Sequence, residues 1–242
     1  MPIKALVFDM DDTLYPEREY VESGLRAVDE WLRRTRGIAG FRDAAAEAFA
    51  AGERRRVFDA ALERLGAKAE PSLVAAMVEA YRAHRPDIRL SEDAEAVLRR
   101  LAPSVRTGLI SDGYLPAQER KVEALGLAGR LHCVLLTETL GRDCWKPSPV
   151  PYERMSEALG VAPEECAYVG DNAAKDFVAA KRLGWTTLQL LRQGGLHAGD
   201  PPDAAHAADY RIVDLRTLWL LPDFEHLFTS GTPYPSNEEV AS

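Results

Sequence analysis

Short apolar runs recur along the chain without the polar–apolar alternation of a half-exposed strand. The first extends from Lys4 to Phe8, and later runs read RTGLIS, HCVLLT, CAYVG and TTLQLL. Unbroken runs of this length are typical of strands buried on both faces of a parallel sheet. A shorter run over residues 210–213 is predicted to be a late strand at a sheet edge.

Helical segments alternate with these strands from residue 91 onward. Ser91 has the character of an N-cap for EDAEAVLRRL, with acids in the first turn and arginines in the last. Further helices are predicted over residues 115–125, around residues 152–159 and over DFVAAKRLG, with a helical turn at residues 215–220. Regular strand–helix repeats predict an α/β fold, a parallel sheet with right-handed crossovers and helices on both faces.

Residues 18–86 differ from their flanks, because they show helical periodicity and no strand-like run. Apolar residues recur at helical spacing from Val21 to Leu32, and Pro71 stands at a helix start. This segment is predicted to be an α-helical insert in a core formed by residues 1–17 and 87–221.

The last segment, residues 222–242, is rich in Pro, Ser and Thr. Such a composition predicts a tail that is poorly ordered or lies over the surface.

The first strand ends abruptly in a group of acids, with Asp9, Asp11 and Asp12 followed by Thr13. A solvated acidic turn is one explanation. Clustering carboxylates at the end of a buried strand is costly, however, and a cation would offset that cost. In an extended chain, Asp9, Asp11 and Thr13 would point to one side, whereas Asp12 is predicted to be a local turn or surface carboxylate.

Composition narrows the classes of partner. The 242 residues carry a formal net charge of −8, so a broad surface for nucleic acid or an anionic membrane is not expected. Three cysteines without CxxC spacing favour neither a disulfide framework nor a zinc site, and they indicate a reducing compartment. No apolar run approaches the length of a membrane span, so the expected location is the cytoplasm.

Polar residues follow several predicted strands. Ser111 ends the second, Lys146 follows the third, and Asp171 ends the fourth, with Asp176 a little further on. Taken singly, each has an ordinary structural explanation: a strand-end serine, a loop lysine, or an acid that caps or orients its neighbours. Because ligands bind beyond the carboxyl ends of parallel strands, their common location indicates one site.

The residue types in this site suit phosphoryl transfer. Carboxylates and water are the ligands that Mg²⁺ prefers. A carboxylate such as Asp9 can attack phosphorus to give an acyl phosphate, while Asp11 moves protons. Lys146 and the Ser111 hydroxyl would stabilise the charge on the transferring group.

These motifs resemble those of the haloacid dehalogenase-like superfamily of phosphohydrolases. DMDDT resembles the DxDxT signature, LISDG the second motif, WKPSP the third and GDNAAKD the fourth, together spanning about residues 4–190. The resemblance implies a Rossmann-like core, with residues 18–86 as a first-type helical cap that closes over the site and residues 14–17 as its hinge.

The resemblance also implies a role for each site residue. Asp9 would be the nucleophile and Asp11 the general acid and base. Asp9, Asp171 and Asp11, the last through its carbonyl oxygen, would hold Mg²⁺, with Asp176 supporting them. The residues implied for phosphate binding are Thr13, Ser111, Asp112 and Lys146.

Several alternatives stay open at this stage. The leading hypothesis is a phosphatase acting on a small phosphorylated metabolite. A phosphomutase would share the core, and a non-catalytic binding member of the family is a third alternative. Dehalogenase chemistry is disfavoured, because it does not need the second carboxylate, Asp11.

Arginines in the runs at residues 33–36 and 54–56 either form a solvated face or hold a remote anionic group of the substrate. The substrate and the oligomeric state are not predicted.

Overall fold

A computed structural model of the chain describes residues 1–53, 55–197 and 199–229. In these ranges, six strands form one parallel sheet in the order β3-β2-β1-β4-β5-β6. The strands are β1 (Ala5–Phe8), β2 (Arg106–Ser111), β3 (Cys133–Leu136), β4 (Cys166–Gly170), β5 (Thr186–Leu190) and β6 (Tyr210–Ile212). The predicted α/β fold is confirmed, with β6 at the edge.

Strand β1 lies at the centre of the sheet, between β2 and β4. Its last residue, Phe8, is in register with Leu109 of β2 and Val169 of β4. The carboxyl ends of these three strands therefore meet at one edge of the sheet, where their following residues come together.

Alternate residues of β1 enter different hydrophobic clusters, as the pleat of a buried strand requires. Leu6 and Phe8 pack in one cluster, which also contains residues of the helices that begin after residue 91 and after residue 114. Ala5 and Val7 pack in a second cluster with Tyr152. All four residues of the strand are buried, which explains why the run lacks polar positions.

Eight α-helices are described. Four of them, between β1 and residue 91, are α1 (Glu17–Arg36), α2 (Phe41–Ala50), α3 (Val57–Arg64) and α4 (Pro71–Ala83). The others are α5 (Glu92–Arg100), α6 (Leu115–Ala124), α7 (Val150–Leu159) and α8 (Val178–Arg182). Helices α1–α4 share a hydrophobic cluster of their own, centred on residues such as Leu32, Phe41 and Leu62. Among the described helices, none combines the length and apolarity that a membrane crossing requires.

The structure adds detail to two of the predicted segments. Ser91 is the N-cap residue of α5, but its side chain makes no capping hydrogen bond and instead donates to the Leu14 carbonyl (3.1 Å). Phe224 and Leu227 are buried, and the Leu227 carbonyl accepts a hydrogen bond from Ala102 N (2.8 Å). Residues 222–229 therefore lie over the surface and are attached to the core through the apolar side chains of Phe224 and Leu227, whereas residues 230–242 lie outside the described part of the chain.

Candidate active site

Asp9 lies at the carboxyl end of β1, next to the ends of β2 and β4. Its backbone N–H donates to the Val169 carbonyl (2.8 Å), which extends the β1–β4 pairing by one residue. Ser111 is the last residue of β2, and Asp171 directly follows β4. The parallel register thus brings three of the predicted site residues to one edge of the sheet.

Lys146 forms the buried centre of the site. Its ammonium pairs with Asp9 Oδ1, pairs with Asp176 Oδ1 at 2.9 Å and donates to Tyr168 OH at 2.9 Å. Burial disfavours the charge, but the carboxylates of Asp176 and Asp9 outweigh it and raise the pKa of Lys146 well above its usual value. Lys146 is therefore a permanent cation beside Asp9.

The charged form of the Asp9 carboxylate is only partly stabilised by its surroundings. Burial raises its pKa to about 6, against the opposing effect of the Lys146 ammonium, and the Asp176 carboxylate adds to the rise. A carboxylate with a raised pKa is more basic than a solvated one, which suits a nucleophile.

Asp11 has a separate set of partners on the side of α6. Its Oδ1 accepts hydrogen bonds from Tyr15 OH and from Lys121 Nζ (2.7 Å), and its Oδ2 accepts one from Gln118 Nε2 (3.4 Å). Burial alone would raise the pKa of Asp11, but the Lys121 ammonium and these hydrogen bonds outweigh it and lower the pKa. Asp9 and Asp11 are thus kept in different environments.

Ser111 and Asp112 differ in what their side chains do. Ser111 Oγ accepts a hydrogen bond from Gln118 Nε2 (3.2 Å). Asp112 Oδ1 accepts from Thr137 Oγ1 (2.8 Å) and from Lys146 N (3.2 Å). The Asp112 side chain thus supports the loop that carries Lys146, and the predicted contact of residue 112 with phosphate stays a prediction.

Thr13 is a buried residue whose Oγ1 has no hydrogen-bond partner in the described ranges. A buried hydroxyl without a partner is costly, so a bound group that accepts its hydrogen bond would be favoured. This observation agrees with the predicted contact between Thr13 and phosphate.

Asp176 is held by the backbone that follows β4. Its Oδ2 accepts a hydrogen bond from Asn172 N (2.9 Å). A Cβ atom at position 170 would lie 2.5 Å from that same oxygen, so only glycine fits at this strand end. The hydrogen bond from Asn172 N holds Asp176 where it meets Lys146, and its predicted role in supporting the metal ligands stays a prediction.

The donor set at this edge fits a hard divalent cation. Burial raises the pKa of Asp171 to about 9, and the nearby carboxylates of Asp9 and Asp176 add to the rise. In the described ranges, no three acidic, histidine or cysteine side chains form a metal cluster. Two carboxylates and a carbonyl, the set predicted from Asp9, Asp171 and Asp11, would use oxygen donors only, which suits Mg²⁺.

Asp12 is not the surface carboxylate that was predicted. It is buried, has a positive φ of 52°, and accepts hydrogen bonds from Glu17 N and Leu196 N, each at 2.8 Å. Asp12 therefore ties the first motif to the start of α1 and to the loop after β5. The predicted turn is present, but its carboxylate faces inward because two backbone donors converge on it.

Arg192 forms a second tie in the same region. Its Nη2 donates to the Thr13 carbonyl (2.7 Å), to Ser91 Oγ (2.9 Å) and to Asp93 Oδ1 (3.0 Å). Asp93 in turn accepts a hydrogen bond from Leu215 N (2.9 Å). We call the group formed by Arg192, the Thr13 carbonyl, Ser91 and Asp93 the Arg192 clamp. It joins the first motif to residues 91–93 at the start of α5.

Sequence reasoning missed Lys121, Gln118 and Tyr15. The first two are buried on α6, at helical spacing with the buried Val122 and Leu125. Long polar residues on the apolar face of a predicted helix indicate a buried polar site, because such residues are rarely buried without a partner.

The arginines of residues 33–36 and 54–56, predicted to form either a solvated face or a site for an anionic group, lie in different surroundings. Arg33 pairs with Asp29 on its own helix (2.8 Å), and Arg56 pairs with Asp59 (3.2 Å). These two form a solvated face. Arg55 lines a cavity among α1–α4, and Arg54 lies outside the described residues.

A sequence model of a known family matches most of the chain. It is described as haloacid dehalogenase-like hydrolase, and it matches residues 3–184. The chain belongs to the haloacid dehalogenase-like hydrolases. The family predicted from the four motifs is thereby confirmed.

Known members of the family resemble the chain over nearly its whole length. A glyceraldehyde 3-phosphate phosphatase of Methanopyrus kandleri is 32% identical over 233 residues, covering 89% of this chain and 95% of the relative. A phosphoserine phosphatase of Thermus thermophilus is 31% identical over 261 residues, covering 90% and 98%. A putative hydrolase of the family from Bacillus subtilis, solved with magnesium bound, has the same fold, with a TM-score of 0.65, 19% identity and coverage of 91% and 98%.

Proposed function

We propose that the protein is a Mg²⁺-dependent phosphatase that hydrolyses a small phosphate monoester through an aspartyl-phosphate intermediate. The observation that carries the proposal is the pair of differently tuned carboxylates at the end of β1, Asp9 beside Lys146 and Asp11 beside Lys121. Relatives that are phosphatases, at 31–32% identity, support the same chemistry.

In the first step, a carboxylate oxygen of Asp9 attacks the phosphorus atom. The bond between phosphorus and the ester oxygen breaks, and Asp11 gives its proton to the leaving alkoxide. Lys146, Thr13 and Ser111 would donate hydrogen bonds or charge to the oxygens of the transferring group.

In the second step, Asp11 accepts a proton from water, and the resulting hydroxide oxygen attacks phosphorus and releases Asp9. The partners of Asp11 favour its charged form, which suits this role as a base. The acid role needs protonated Asp11. The negative charge of the bound phosphoryl group favours that form, because a nearby anion raises the pKa of a carboxyl group.

The metal would be held by the carboxylates of Asp9 and Asp171 and the Asp11 carbonyl. When bound, Mg²⁺ neutralises charge on the phosphoryl oxygens. The chain's own contribution is the placement of these oxygens, which Asp176 and Lys146 support by their ion pair.

Helices α1–α4 would act as a cap that closes over this edge of the sheet. The chain enters the cap segment through residues 14–17, where Tyr15 OH donates to Asp11 and the backbone N–H of Glu17 donates to Asp12 of the first motif. Closure would exclude water during the first transfer and bring specificity contacts to the leaving group.

Three free cysteines agree with action in a reducing compartment, and we place the reaction in the cytoplasm.

A phosphomutase would use the same core residues, and product analysis separates the two activities. Dehalogenase chemistry makes no use of the elaborate hydrogen bonding around Asp11, so that geometry favours the phosphatase. A non-catalytic binding member would not need both tuned carboxylates.

The test is release of inorganic phosphate from para-nitrophenyl phosphate with Mg²⁺. We expect turnover by the wild type, no turnover after chelation of Mg²⁺, and none by Asp9→Asn. The matched control is Asp43→Asn, which changes an exposed acid of α2 and should keep full activity. Activity without metal, or in Asp9→Asn, would contradict the proposal. Circular dichroism checks that both variants fold.

A further inference from the structure

An open cavity of about 530 Å³ lies among helices α1–α4 and the loop after β5. This volume is within the range of small-molecule sites, about 300–1,000 Å³. Its walls are mainly aliphatic and aromatic. Side chains that line it include Val21, Phe49, Phe58, Val74, Val78 and Tyr81.

Two walls of the cavity are connected to the first motif through intervening residues. Leu196 forms part of one wall, and its backbone N–H donates to Asp12 Oδ2 (2.8 Å), one residue from Asp11. Tyr81 forms part of another wall, and its ring meets that of Tyr20 edge to face (5.5 Å). Tyr20 in turn lies 4.1 Å beneath the Lys121 ammonium, which pairs with Asp11.

The chemistry of the walls selects against polar occupants. The charged residues of the cavity are the exposed Arg18, Glu22 and Arg55 and the half-buried Asp59. Hydroxyl groups placed against the apolar walls would lose their hydrogen bonds to water without replacement. Leu196 is 47% exposed, so an apolar group in the cavity would also cover a large side chain that now contacts solvent.

We propose that this cavity binds the leaving group of the substrate, and that this leaving group has an apolar aliphatic or aromatic body. The inference rests on the proposed phosphatase function and names the class of its substrate: monoesters with an apolar body rather than phosphates of polyols or sugars. Leu196 and the cap residues around Phe58 set this preference, and Asp9 attacks the phosphoryl end.

The first test compares esters that differ only in apolar length or in hydroxyl groups. We expect kcat/KM to rise about tenfold per added methylene from propyl to hexyl phosphate. Propyl phosphate should be used better than glycerol phosphate, which has the same number of carbon atoms. A flat series, or a preference for the polyol ester, would overturn the inference while leaving the phosphatase function intact.

The second test uses matched alanine-to-phenylalanine changes on the cap. Ala46 of α2 and Ala75 of α4 are both exposed, but only Ala46 is among the residues that line the cavity. Ala46→Phe should lower the ratio of kcat/KM for hexyl over propyl phosphate by at least about tenfold, since it removes room for the chain. Ala75→Phe should keep the ratio of the wild type, and equal ratios in the two variants would contradict the proposal.

Binding of non-hydrolysable alkylphosphonates separates this inference from the proposed function. Calorimetry should show that hexylphosphonate binds the wild type at least about tenfold more tightly than propylphosphonate, and that Ala46→Phe removes the difference. Equal binding of the two phosphonates would overturn the inference. Tight hexylphosphonate binding without turnover of any ester would overturn the phosphatase function alone.

Discussion

The Arg192 clamp gives a quantitative prediction for stability. One guanidinium nitrogen donates to the Thr13 carbonyl, Ser91 Oγ and Asp93 Oδ1 at 2.7, 2.9 and 3.0 Å. Arg192→Met keeps an apolar stem but removes all three hydrogen bonds and leaves the buried Asp93 without its cation. Hydrogen bonds to neutral groups contribute about 0.5–1.5 kcal/mol, and those to charged groups about 1.5–3 kcal/mol. Because the contacts share one donor group, we expect a loss of about 3 kcal/mol rather than their full sum.

Equilibrium unfolding in urea measures this loss, with Arg211→Met as the matched control. Arg211 pairs with Asp200 at 3.2 Å, but both side chains are largely exposed, so its replacement should cost less than about 1 kcal/mol. Arg192→Lys keeps the charge and should recover part of the stability. If Arg192→Met and Arg211→Met unfold with equal free energies, the clamp does not hold the first motif to the core, and the reasoning is refuted.

Three further changes test the site. Gly170→Ala places a Cβ 2.5 Å from Asp176 Oδ2 and should destabilise the fold by about 1–3 kcal/mol, whereas Gly129→Ala, with open space around it, should be neutral in the same urea assay. Tyr15→Phe removes a hydrogen bond to Asp11 and should lower kcat about tenfold; an unchanged kcat would contradict that role. In the metal-free protein, Asp171 has a pKa of about 9 in the folded state and of 3.8 when solvated, so between these pH values only the folded state keeps its proton. The wild type therefore loses stability as pH rises through that window, and Asp171→Asn, which does not titrate, should become more stable relative to it. A constant difference in thermal melts across that window would argue against this environment.

The location of the candidate site could be predicted from the sequence because parallel strands end together. Asp9, Ser111 and Asp171 each follow an apolar run, and a parallel sheet places such residues at one edge. Lys146 is less determined by pattern, since it lies in a loop. Its position depends on ion pairs with Asp9 and Asp176, which are far from it in the chain.

Where the structure differs from the local sequence pattern, the difference comes from contacts between residues that are distant in the chain. The Asp12 carboxylate is turned inward by Leu196 N, a donor 184 positions away. Ser91 is the N-cap residue of α5, as predicted, but its hydroxyl donates to the distant Leu14 carbonyl and makes no capping hydrogen bond. The partners of Asp11 depend on how α6 packs against the first motif, and the helical pattern of α6 alone does not determine that packing.

A covalent phosphoryl group on Asp9 is the central claim, and an acid-quench experiment tests it most directly. In Asp11→Asn, para-nitrophenyl phosphate should still phosphorylate Asp9, because its leaving group needs no proton, but hydrolysis of the intermediate should be slow for lack of a base. Mass spectrometry of the quenched, digested protein should then find one phosphoryl group on the peptide that contains Asp9. Phosphate release without any such adduct, with water attacking the ester directly, would contradict the account.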